Sequence, residues 1–123
     1  MVCRAAALTS NVGQCIATGI IDDEHLPRVV GRMFAPDLFS GWGVRTLSTH
    51  DVSYNPIDYH LGSVWAVENA SIVFGLRRFG FYQRAADLSK ALFDLAALYH
   101  DHRVPETLDR FTALVDGVVR SAF

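Results

Sequence analysis

The sequence predicts an all-α domain built from consecutive αα-hairpins. Helical spacing of apolar residues dominates the chain, and one stretch is apolar nearly all round, as an inner helix would be. The 123 residues, 50% of them hydrophobic and only 20% charged, suit one domain with a real core, so 1–123 is read as a single domain.

The elements follow in chain order. Residues 11–21 and 23–34 form a first helix pair. Asp23, Glu24 and Pro27 mark the start of its second helix, because acids and proline favour a first turn, and Ala35-Pro36 ends it. Residues 63–79 are helical, with Ser63 as the candidate N-cap. Val64, Trp65, Val67, Ile72, Val73, Phe74 and Leu76 leave little polar circumference on this helix. The small residues Ala66, Ala70, Ser71 and Gly75 would let neighbouring helices approach closely. Gly80 suits the turn that follows. Over 81–99, Phe81, Ala85, Leu88, Leu92, Leu95 and Tyr99 fall on one face and the charged residues mostly on the other, so this is an amphipathic outer partner. Leu108, Phe111, Val115, Val118 and Ala122 predict a C-terminal helix, weakened by Gly117.

Charge and composition exclude several partners. A net charge of -2 without a basic stripe argues against nucleic acid. No apolar run is long enough to cross a bilayer, and the N-terminus lacks the apolar core of a signal peptide, so a membrane is not expected. Cys3 and Cys15 read as free thiols of a reducing compartment, hence a cytoplasmic protein. The five histidines form no metal-ligand pattern with them; His100 and His102 read as part of a solvated turn. No cofactor is expected.

Between the hairpins lies a long segment, 36–63, too apolar to stay solvated. A loop of this length inside a compact domain is usually functional or disordered, and its composition argues for order. A sugar presents C–H groups on its ring faces and hydroxyls on its rim, so its site needs aromatic plates and planar hydrogen-bonding groups. Trp42, Tyr54, Tyr59 and Trp65 are candidate plates. Arg45, Asn55, Asp58, His60 and Glu68 are candidate polar partners. Composition alone also fits aromatics that plug the end of a helical bundle.

Several strings occur in order along the chain: LTSN followed by Gly13, LFSGWGVRTLST, YNP, YHLGSVWAVENA, GLRRFGF, and Val104-Pro105-Glu106. Together they resemble the C-terminal part of the amylo-α-1,6-glucosidase, or glycogen-debranching, type family of glycoside hydrolases. The resemblance implies a fold that is part of an (α/α)6 toroid, with this chain as its C-terminal fragment, and a substrate that is an α-glucan or oligosaccharide. It implies that Trp42, Arg45, Tyr59, His60 and Trp65 line the glycan cleft. It also implies that Glu106 is the catalytic carboxylate, the general base of an inverting hydrolysis, whose acid partner belongs to a segment upstream of these motifs. The chain departs from the family pattern at Gln14, where many relatives have His, at Ala66 in place of Pro, and after Glu106.

Alternatives stand beside these roles. Glu68 is either a substrate-binding carboxylate or a buried acid bonded to loop backbone. Asp58 reads as an Asx turn and His60 as a structural hydrogen-bonder. Arg77-Arg78 reads as a solvated helix end, and Glu106 could be an acid at a helix N-terminus. The expected function is the glycan-binding part of a glycosidase catalytic domain that is inactive alone; the alternative is a non-catalytic helical module that binds glycan or another subunit. An inner helix without its neighbours would leave apolar surface open to self-association.

Overall fold

The computed structural model describes residues 6–108, and the order of elements is α1 (Asn11–Thr18), α2 (Leu26–Met33), β1 (Val64–Trp65), α3 (Ala66–Arg78), α4 (Tyr82–Ala97) and β2 (Thr107–Leu108). The architecture is mostly helical, with one small antiparallel sheet in addition. Helix α3 lies between α1 and α4 and packs on both. Ile16, Met33, Leu38, Ile72, Leu76 and Leu88 are fully buried and tie α1–α4 and the loop into one core. Each such side chain contributes about 1.5–3 kcal/mol of hydrophobic stabilisation.

Local chemistry explains the helix boundaries. Helix α1 stops where Gly19 adopts a left-handed conformation (φ 74°) and its N–H bonds the Ile16 carbonyl. Helix α2 starts later than the acids at 23 and 24 suggest. Pro27 does sit in its first turn, and the Asp22 carboxylate accepts the His25 backbone N–H at 2.9 Å. Its buried residues Leu26, Val30 and Met33 recur at four and three residues. Gly80, at φ 84°, makes the turn between α3 and α4, and Ala85, Leu88 and Leu95 face inward from α4 as their spacing predicts. Gly75 is the close-approach point between helices: a Cβ there would lie 2.8 Å from the Ala17 nitrogen.

The structure corrects the sequence reading at both ends of α3's neighbourhood. The helix expected over 63–79 begins at Ala66, because Val64 and Trp65 are extended and pair with Leu108 and Thr107. Ser63 is therefore no N-cap; its hydroxyl donates to the Tyr59 carbonyl at 2.6 Å. Leu108, expected to open a C-terminal helix, is a buried strand residue. The other residues of that expected helix, from Phe111 to Ala122, lie outside the described residues, as does Cys3; Cys15 carries a free thiol. Nor is α3 covered all round. Val67 and Phe74 of α3 are 80% and 74% exposed. Among the described residues no helix is long and apolar enough to cross a membrane.

The 36–63 segment is ordered but irregular, as its composition predicts. Its floor is pinned by Leu38, Val44 and Leu47, all buried. Val44 bridges Phe39, and Arg45 bridges Val64, which extends the sheet into the loop. Fully buried Asn69 of α3 accepts the Val44 N–H at 2.7 Å and donates to the Val44 carbonyl at 3.1 Å. At the entrance, buried Asp37 receives both guanidinium nitrogens of Arg32, at 2.6 and 2.7 Å, and the Ser48 hydroxyl.

Candidate functional site

The site is built where the loop's end meets the small sheet. Asp58 accepts the His60 backbone N–H at 3.2 Å, the Asx turn its sequence suggests, and turns the chain so that Tyr59 and His60 reach Trp65. The His60 ring stacks on the Trp65 indole, with centroids 4.9 Å apart and planes 5° apart. Tyr59 stands edge-on to both, at 4.6 and 4.5 Å. The Trp65 indole N–H is committed within the loop, to the Tyr59 carbonyl at 3.1 Å and the Ser63 hydroxyl at 3.0 Å. What the indole offers a ligand is therefore apolar surface rather than a donor.

Pairing of Trp65 with Thr107 sets Glu106 beside this cluster. The Tyr59 hydroxyl donates to Glu106 Oε1 at 3.2 Å. Desolvation, that hydrogen bond and the carboxylate's charge all push the Tyr59 phenol above the usual tyrosine range, so it remains protonated and a donor. Glu106 is exposed and precedes a strand, not a helix.

Two concavities adjoin at Val67. One, of about 640 Å³, is lined by polar and aromatic groups that include Ser10, Gln14, His60, Trp65, Glu68 and Ser71. The other is an apolar groove between α3 and α4, lined by residues that include Ala70, Phe74, Phe93 and Glu106. Glu68 lies in the polar cleft, where the Ser10 hydroxyl donates to its Oε2 at 2.8 Å, so its partner is a side chain of α1's leading edge rather than loop backbone. Among the described residues no group of His, Cys, Asp and Glu is placed to hold a metal ion.

Of the residues singled out by sequence, Tyr59, His60, Trp65, Glu68 and Glu106 are brought to one surface. Trp42 and Arg45 are not among those lining either concavity. Trp42 packs against the small core of Val64, Leu95 and Leu108. Arg45 bridges Val64 through its backbone, and its Nη1 is buried without a hydrogen-bond partner among the described residues. Ser10, Gln14 and Ser71 were not foreseen. Ser10 lies in the LTSN string and Gln14 at a departure from the family pattern; the further signal is helical spacing, with Ser10 and Gln14 four residues apart and Glu68 and Ser71 three, each pair on one helix face.

A helical frame with an aromatic cluster and an exposed carboxylate beside it is an arrangement that suits a glycoside hydrolase. Residues 5–120 match the family described as mannosylglycerate hydrolase MGH1-like glycoside hydrolase domain, and the chain belongs to that family. A search of curated proteins gives no match.

Proposed function

We propose that this chain forms one wall of a glycosidase active site, binding a hexoside at the Tyr59–His60–Trp65 cluster and carrying the general base, Glu106. The observation that carries this reading is the strand register that puts Glu106 against Tyr59 beside the stacked His60–Trp65 pair, in a chain of a glycoside hydrolase family. The Tyr59 hydroxyl occupies Oε1 of Glu106, and Oε2 is the oxygen that takes a proton from water as that water attacks the anomeric carbon. The leaving oxygen is protonated by a carboxylic acid from outside the described residues; because water activated by Glu106, and not Glu106 itself, attacks the anomeric carbon, the reaction is inverting. Without that acid the chain binds glycan and does not cleave it. In this reading α1–α4 are part of an (α/α)6 toroid whose neighbouring helices cover the open face of α3.

Two substrates compete within the hexoside class. The family's description names mannosylglycerate hydrolase, and the motif strings resemble those of debranching enzymes that act on α-1,6-linked α-glucans. Isothermal titration of the chain with mannosylglycerate, maltooligosaccharides and an α-1,6-linked isomaltooligosaccharide tests both. Heat of binding with at least one of them, and no reducing sugar released by the chain alone, is the expected result. No heat from any of them at millimolar concentration rejects the reading.

The apolar groove favours a second reading, a non-catalytic module that associates with another subunit. Phe74 and Phe93 are 74% and 76% exposed there. Light scattering separates the two readings. A dimer that ignores sugar and dissociates in the F74S/F93S variant supports the module; a monomer that binds glycan removes it.

A further inference from the structure

We infer that the polar cleft between the leading ends of α1 and α3 is a subsite for an uncharged vicinal diol, read by Gln14 as donor and Glu68 as acceptor; this rests on the cleft being a sugar site. Two hydrogen bonds across the α1–α3 contact hold the cleft's polar groups in place. Ser10 donates to Glu68 Oε2 at 2.8 Å, and Ser71 donates to Gln14 Oε1 at 2.9 Å. In the second bond the Gln14 amide oxygen is the atom that faces the serine hydroxyl and accepts from it. Its NH₂ is then left as a donor. Glu68 Oε1 is left as an acceptor, since neither atom has a hydrogen-bond partner among the described residues.

Adjacent hydroxyls on a pyranose each donate and accept. A carboxylate oxygen and an amide NH₂ lining one cleft suit such a pair, with one hydroxyl donating to Glu68 and its neighbour accepting from Gln14. Trp65 and His60 line the same cleft and supply flat surface for the ring's C–H face. Among the described residues the lining contains one acid and neither Lys nor Arg. A negatively charged ligand group would meet the Glu68 carboxylate with no Lys or Arg among the described lining residues to offset it, so the subsite takes the hexose ring of a substrate in preference to a carboxylate.

The test is binding of methyl α-mannoside, methyl α-glucoside and the corresponding methyl glucuronide, followed by NMR of the wild-type chain and of Q14A, S71A, E68Q and W65A, each first shown to melt cooperatively. The inference expects a neutral glycoside to bind, Q14A to weaken it about tenfold, and the glucuronide to bind about tenfold less well than the glucoside, a gap that narrows in E68Q. S71A, which frees the amide to turn over, should weaken binding in the same direction as Q14A. If neutral sugar binds and only W65A reduces it, the diol subsite is overturned and the glycosidase reading survives. If the glucuronide binds as well as the glucoside, the subsite is overturned as well. If none of the glycosides perturbs the wild-type spectrum, both fall together.

Discussion

The Asn69 side chain pairs with both backbone groups of Val44, accepting its N–H at 2.7 Å and donating to its carbonyl at 3.1 Å. An amide on a helix thereby does for the loop what a neighbouring strand would do. The same NH₂ also donates to the Trp65 carbonyl at 2.8 Å. One buried side chain thus connects the loop's floor, the end of β1 and the first turn of α3, which is the frame on which the site is hung.

Truncating that side chain should be severe. N69A removes the side-chain partners of the buried Val44 N–H and carbonyl, at about 1–3 kcal/mol for each group left unsatisfied. N69D keeps the acceptor but loses both donated bonds and places a carboxylate in the core. Urea unfolding should show both variants less stable than wild type, by about 2–5 kcal/mol for N69A. An N69A midpoint equal to wild type would show that the pairing contributes nothing.

The α1–α3 contact predicts opposite outcomes for two glycines. A Cβ on Gly75 would sit 2.8 and 2.9 Å from backbone atoms of Ala17, which cannot move aside as a side-chain tip can. G75A should destabilise by about 1–3 kcal/mol, the usual magnitude for overpacking. Gly31 lies in α2 with nothing within 4 Å of a Cβ, so G31A should stabilise by up to about 1 kcal/mol through helix propensity. Thermal melts of the two variants provide the comparison.

Asp37 should give the fold acid sensitivity. The Arg32 guanidinium beside it, joined by the Ser48 hydroxyl, holds its carboxyl well below the usual carboxylate range, against the opposing effect of burial. A depressed folded-state pKa means stability that is fully present above the unfolded-state value of about 3.9, and is lost as pH falls from there toward the lower folded value. The melting temperature should therefore fall between pH 5 and pH 2 (roughly the range in which such carboxylates protonate). D37N should be less stable at neutral pH and show a shallower fall in acid. Equal slopes in the two proteins would remove Asp37 from the explanation.

The contact between Tyr59 and Glu106 has a spectroscopic signature. Part of the upward shift of the Tyr59 phenol comes from the bond it donates to Glu106 and from that carboxylate's charge; desolvation, the largest cause, stays when Glu106 is replaced. In E106Q the Tyr59 phenol should ionise at lower pH than in wild type, while remaining above an ordinary tyrosine. Ultraviolet difference titration, with Y59F to identify the Tyr59 component, measures this. An unchanged titration in E106Q would mean the two side chains are not in contact in solution.

Much of the frame was legible because it is local. Periodicity located the four helices to within a few residues, and the long segment's apolar content correctly argued for order, since residues such as Leu38, Val44 and Leu47 must be buried somewhere. Order of motifs along the chain pointed to a glycoside hydrolase, and the family match bears that class out. Periodicity failed at Val64–Trp65 and at Leu108. Apolar residues there are equally compatible with a helix face or a short buried strand, and only pairing with a distant partner decides between them.

The sequence by itself determined which stretches are helical, which segment carries aromatic and polar side chains suited to sugar, and which residues are chemically equipped to act. Tertiary structure alone decided which of them meet. Tyr59 and Glu106 are 47 residues apart, and their contact depends on Trp65 finding Thr107 across a two-residue strand pair. Trp42, chemically as good a plate as Trp65, is turned instead into a small core by the same sheet. The reason is physical: helix formation is driven by hydrogen bonds and side-chain contacts within a few residues, whereas strand register is set by long-range burial that no local window contains.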